Sequence, residues 1–101
     1  MSEYIFKYIS NNTDVYIAGS FNNWHKIKMN YDSNNSFFHY KIKLKDGYYE
    51  YKYIINNEWI YDNNYPVIIT KDGYKNNLIL IQSNKNKINR NKDYQITFFT
   101  L

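Results

Sequence analysis

Few side chains in this chain could do chemistry, and their spacing limits what they could do. Asp46, Glu50, Glu58, Asp62 and Asp72 supply carboxylates. Hydrolysis of a glycosidic bond needs only two such groups flanking the bond. It also needs a deep cleft that raises the pKa of one of them, which a domain of 101 residues rarely builds. The two histidines, His25 and His39, have no cysteine companions and no tight spacing, so no metal site is indicated. His39 falls at an outward strand position and reads as a solvated side chain. No glycine-rich loop precedes a helix, which removes a phosphate cradle. The expectation is a non-catalytic binding protein with no cofactor and no metal.

What remains is a lysine and a tryptophan on one hairpin. Gly47 to Asp62 reads GYYEYKYIINNEWIYD. Its first arm alternates Tyr49, Tyr51, Tyr53 and Ile55 with Tyr48, Glu50, Lys52 and Ile54, the period of a half-buried strand. Asn56-Asn57 supplies the tight turn, since asparagine tolerates the left-handed backbone such turns require. Lys52 is expected across the hairpin from Trp59, on the side away from the core. An exposed Lys beside an exposed Trp is an unusual use of a small domain's surface.

Composition sets the frame. Thirteen tyrosines and an aromatic fraction of 21% are high, but Tyr, Asn, Lys and Ile all use A/T-rich codons, so coding bias explains much of this. A chain without cysteine stands on its core rather than on disulfides. The first ten residues carry no charged start followed by an apolar run, and no stretch is long enough for a membrane helix. A reduced, cytoplasmic setting with no membrane partner is therefore expected, and the glycosylation patterns at Asn11-Asn12-Thr13 and Asn34-Asn35-Ser36 read as chance. The net charge of +4 is spread among acids, except for a basic run over Lys85 to Lys92. That run reads as a solvated spacer, and nucleic acid is not expected as a partner.

Strands are expected at Glu3–Ile9, Val15–Ala18, Phe37–Lys45, Tyr48–Ile55, Val67–Thr70 and Asn76–Gln82. In the third of these Phe38, Tyr40, Ile42 and Leu44 point inward and His39, Lys41, Lys43 and Lys45 outward. Ser20 to Trp24, SFNNW, is a loop, continued by Lys26 to Met29, with Phe21 assigned to the core and Asp32 to Ser36 to a turn. No helical repeat of apolar residues occurs. Short strands with turn signals every eight to twelve residues predict an all-β, antiparallel β-sandwich. Residues 1–82 form the domain, 83–92 an Asn/Lys-rich spacer, and 93–101 a strand-like tail. The tail is expected to complete this domain, or else to pair with a partner.

VYIAGSFNNW, then DGYYEYKYIINNEW, then DGYKNNLILI, in that order, resemble carbohydrate-binding module family 48, and within it the glycogen-binding domain of the AMP-activated protein kinase β subunit. The likeness runs from about Tyr4 to Gln82. It implies an immunoglobulin-like β-sandwich that binds α-1,4-linked glucan such as glycogen or starch without cleaving it. By this resemblance Trp24 and Trp59 are the two platforms on which glucose rings stack, and Lys52 and Asn76 hydrogen-bond sugar hydroxyls. The chemistry suits these residue types. A pyranose has an apolar C–H face that can lie on an indole, and polar groups at the rim fix the hydroxyls. Tyr74 is a candidate third aromatic contact.

Two departures stand out. The family usually turns the central hairpin with Asp-Gly. In the loop from Lys71 to Lys75, Asp72 and Tyr74 replace an apolar residue and a small hydroxyl. The kinase subunit's C-terminal assembly region has no counterpart after Gln82, so this chain is not read as that subunit. The partners implied are an α-glucan and, for a targeting subunit, a kinase, phosphatase or glucan-metabolising enzyme. The alternative is an immunoglobulin-like protein-interaction domain with no sugar binding.

Overall fold

The computed structural model describes residues 1–11 and 14–83. Among the described residues there are nine strands: β1 (Ser2–Tyr8), β2 (Tyr16–Gly19), β3 (Ile27–Lys28), β4 (Asn30–Asp32), β5 (Phe37–Leu44), β6 (Gly47–Ile55), β7 (Glu58–Ile60), β8 (Val67–Ile69) and β9 (Lys75–Ile81). One sheet has the order β1-β5-β4. The other runs β3-β2-β6-β9-β8, with β7 also paired to β6. Every pairing is antiparallel. The two sheets stack as the expected all-β sandwich.

Alternation explains the layers. On β1, Tyr4, Phe6 and Tyr8 share the face opposite Ile42, Tyr40 and Phe38 of β5. From the other sheet Tyr51 and Tyr53 point toward them, with ring centroids 4.8 Å apart for Phe6 and Tyr51 and 4.6 Å for Tyr8 and Tyr53. Tyr51 and Tyr53 are each 1% exposed. A buried phenol needs a partner, and the Tyr53 hydroxyl donates to the Lys7 carbonyl at 3.3 Å. Phe21 packs on this core, stacked on Phe6 at 5.3 Å, as expected.

Three details depart from the sequence reading. The stretch after Trp24 is not only loop: Ile27–Lys28 pairs with β2, and Asn30–Asp32 crosses to pair with β5. These pieces are two and three residues long, too short to show a period. Asp32 therefore ends a strand, and its carboxylate receives the Asn34 and Asn35 backbone N–H groups and the Asn35 amide. Those bonds, the Asn35 side chain first, hold its pKa below the usual carboxylate value. Lastly, Ile54 belongs to the outward face yet is only 2% exposed. Its cross-strand neighbours on either side are Tyr16 and Trp59, and aromatic side chains so placed cover it.

Ser83 is tied back to the domain, its N–H and hydroxyl donating to the Asp46 carboxylate at 2.9 and 3.2 Å. The rest of the 83–92 spacer, its basic run and the 93–101 tail lie outside the described residues, as do Asn12 and Thr13.

Candidate functional site

On the outer face of the larger sheet, Trp24, Lys52, Trp59, Thr70, Asp72, Tyr74 and Asn76 line one open depression of about 400 Å³. All five residues singled out from sequence are in it: Trp24, Lys52, Trp59, Asn76 and Tyr74. Both indoles are accessible, Trp24 at 36% and Trp59 at 43%. Their ring centroids lie 6.4 Å apart with planes inclined at 48°. Two tilted aromatic surfaces side by side, both open to solvent, make a bent floor.

Trp24 owes its position to a strained loop. Asn23 and Trp24 both have left-handed backbone, with φ of 58° and 61°. For Trp24 that conformation costs about 1–2 kcal/mol, and less for an asparagine. Neighbouring bonds hold it. Trp24 N–H donates to the Gly19 carbonyl at 2.9 Å. Asn22 receives the Gly19 N–H at 3.2 Å and donates to the His25 carbonyl at 2.8 Å. The Ser20 hydroxyl accepts the Glu50 N–H at 3.1 Å, pinning the loop to β6. A Cβ on Gly19 would come within 2.4 Å of the Phe21 ring and 2.6 Å of the Glu50 carbonyl oxygen, so only glycine fits beneath the loop.

Lys52 and Trp59 share the outer face, but not as directly opposed residues. Trp59 stands opposite Ile54, and Lys52 stands opposite Ala18 of β2. Lys52 is thus a diagonal neighbour of the indole, two residues along β6. The register follows from the turn: Asn56 and Asn57 have φ of 53° and 66°, the two-residue geometry expected for Asn-Asn, and it closes the ladder at Ile55 and Glu58. Lys52 is half-buried, and among the described residues its ammonium has no hydrogen-bond or ion-pair partner.

Asn76 and Asn77 part company because successive strand residues face opposite sides. Asn76 is 8% exposed on the outer face and donates to the Glu50 carboxylate at 2.8 Å. Asn77 is fully buried on the inner side. Its Oδ1 accepts from Asp62 N–H at 2.8 Å, and its amide donates to the Asp62 and Pro66 carbonyls at 2.9 and 3.1 Å. One asparagine lines the depression and its neighbour clamps the 62–66 loop.

The remaining wall is the turn between β8 and β9. Thr70 N–H donates to the Tyr74 carbonyl, Gly73 N–H to the Thr70 carbonyl and Tyr74 N–H to Thr70 Oγ1, at 2.8, 2.9 and 3.0 Å. Gly73 sits at φ 88°, where a side chain would be strained. This small loop presents Asp72 and a Tyr74 that is 65% exposed. Sequence reasoning missed Thr70 as a lining residue and Glu50 as the holder of Asn76. A Thr two residues before Asp-Gly hinted at the first, while the second bond spans 26 residues and left no local signal.

Two antiparallel sheets, one bearing a shallow aromatic-floored depression on its outer face, define a β-sandwich binding module. A family model described as the glycogen recognition site of AMP-activated protein kinase matches residues 2–87. The chain belongs to that family. It is 32% identical over 78 residues to the AMP-activated protein kinase subunit beta-1 of Sus scrofa, covering 77% of this chain and 62% of that sequence. The Homo sapiens subunit beta-1 is 31% identical over the same length, with 28% of it covered. Protein PTST homolog 2, chloroplastic, of Arabidopsis thaliana is 36% identical over 69 residues, 68% of this chain and 13% of the plant sequence. The chain thus spans less than two thirds of each of these relatives. No helix among the described residues is long and apolar enough to cross a membrane.

Proposed function

We propose that this chain binds α-1,4-linked glucan, glycogen or starch-like, non-covalently in the depression on its outer face. The observation that carries the reading is the convergence of Trp24, Lys52, Trp59, Tyr74 and Asn76 on that one surface in a chain of the glycogen-recognition family. In this reading two glucose rings lie against the two indoles, and the tilt between the indoles suits a chain that curves. Lys52, whose ammonium has no partner among the described residues, donates to sugar hydroxyls. Asn76 contributes a polar contact at the floor, and Tyr74 a third ring at the rim. The binding unit is residues 1–82. An open surface of this size favours weak to moderate affinity, since little of a ligand is enclosed. A targeting role, bringing a kinase, phosphatase or glucan-metabolising enzyme to the polymer, is part of this reading, and the kinase subunits among its relatives support it.

The test is a titration with maltoheptaose followed by tryptophan fluorescence. Saturable binding that is lost in the Trp24→Ala, Trp59→Ala double variant is expected. Absence of binding at millimolar sugar, or binding that survives the double substitution, overturns the proposal.

A further inference from the structure

A second depression, of about 330 Å³, lies on the same sheet and is lined by Asp14, Tyr16, Lys26, Ile54, Asn56 and Asn57. Its residues are not scattered relative to the first. Three segments supply both depressions, each with an offset of two residues: Lys52 and Ile54 on β6, Trp24 at the end of SFNNW and Lys26 just after it, Trp59 and Asn57 on the central hairpin. Along a strand, two residues advance the same face by ~6.7 Å. The two depressions are therefore neighbours along β6.

Cross-strand pairing joins them sideways as well. Tyr16 stands opposite Ile54, and Ile54 opposite Trp59. Tyr16 and Trp59 thus flank one buried isoleucine, separated by two strand spacings, ~9.5 Å. The row offers an aromatic ring, an aliphatic floor and an indole in succession. Around the far end stand an ammonium, a carboxylate and two amides. Asp14 is engaged by Lys28 at 3.4 Å, whereas Lys26 has no partner among the described residues. A half-buried ring edged by mixed donors and acceptors suits a neutral, hydroxyl-rich ligand.

We propose that this second depression is an extension subsite that takes further glucose units of the same α-glucan chain as it runs past Trp59. This rests on the glucan reading of the first depression. Tyr16 supplies an apolar surface for one more pyranose, and Lys26, Asn56 and Asn57 bind its hydroxyls. Longer chains then bind more tightly than short ones because they occupy both depressions, with effect beyond the statistical gain from extra registers on one site.

Calorimetric titration of the whole chain with maltotriose and maltoheptaose tests this, using wild type, Lys26→Ala and the Tyr16→Ala, Lys26→Ala double variant. The wild type is expected to prefer maltoheptaose. The double variant is expected to keep its maltotriose Kd and to weaken about three- to tenfold for maltoheptaose. Lys26→Ala alone, on an exposed side chain that leaves the core intact, is expected to weaken maltoheptaose about twofold. Equal loss for both sugars, no loss for either, or a wild type indifferent to length overturns the subsite while leaving the first depression standing. A wild type that binds neither sugar overturns the glucan reading itself and this proposal with it.

Discussion

The Asn76 amide donates to the Glu50 carboxylate across β9 and β6, over 2.8 Å, and this one bond decides which atom of Asn76 is left over. A carboxylate only accepts, so the amide N–H₂ must face it, and Oδ1 remains for the depression. Glu50 also donates its own N–H to Ser20, at the base of the loop that carries Trp24. A single residue of β6 thus steadies two walls, one through its side chain and one through its backbone.

Glu50→Ala leaves the backbone bond to Ser20 in place but takes the acceptor from the Asn76 amide. Maltoheptaose affinity is expected to fall about three- to fivefold, the scale of one hydrogen bond, and the thermal midpoint to drop as well, since Asn76 is only 8% exposed. Glu50→Gln retains a partner but lets the amide turn either way, and is expected to lose less. Calorimetry on the two variants measures the difference.

The adjacent asparagines separate affinity from stability. Asn77→Ala strands Asp62 N–H and removes the donor to two carbonyls inside the protein. A loss of about 2–3 kcal/mol is expected in urea unfolding. Asn76→Ala is expected to cost ~1 kcal/mol or less there and to show its main effect in sugar titration. Reversal of the two patterns would contradict the assignment of the faces.

At the central turn, Asn57→Val puts a β-branched side chain at φ 66°. Destabilisation of about 1–2 kcal/mol is expected, whereas Asn57→Gly, which has no Cβ to strain, should hold or raise the denaturation midpoint. Because this turn sets the pairing of Ile54 with Trp59, the valine variant should also alter the accessibility of the indole to a fluorescence quencher.

Alkali should unfold this protein through its core. Burial raises the pKa values of Tyr51 and Tyr53 far above the ordinary phenol value of 10.0, and those of Tyr4 and Tyr8 to a smaller extent. Unfolded tyrosines ionise near pH 10, so above that pH the native state holds more protons than the unfolded state. The stability these phenols contribute is complete below pH 10 and is lost as pH climbs beyond it. A phenolate titration should therefore show the buried tyrosines ionising in a cooperative step coincident with loss of β-sheet circular dichroism. Smooth ionisation of all tyrosines before unfolding would contradict the buried pair.

Strand content and the in-out sense of β1, β5 and β6 could be read from sequence because side-chain alternation is local and repeats every two residues. β3 and β4 could not, being too short to repeat and held in place by partners far along the chain. Among the site residues, Lys52 and Trp59 declared themselves by falling on the outer side of an alternating hairpin. Trp24 and Asn76 became legible only through motifs, SFNNW and Gly-x-x-Asn-Asn, since nothing in their neighbourhoods says what faces them.

By itself, then, the sequence determined an antiparallel sandwich, the family to which the chain belongs, and the outward sense of Lys52 and Trp59. Tertiary structure decided the rest. It set Ile54, not Lys52, opposite Trp59, and buried that isoleucine between two rings although its strand position points outward. It also gave Asn76 to the outer face with Glu50 and brought Trp24 to within 6.4 Å of Trp59. The physical reason is the same in each case. Which way a side chain points is set by its own backbone, but what covers it, holds it or stands beside it comes from strands paired across the sheet.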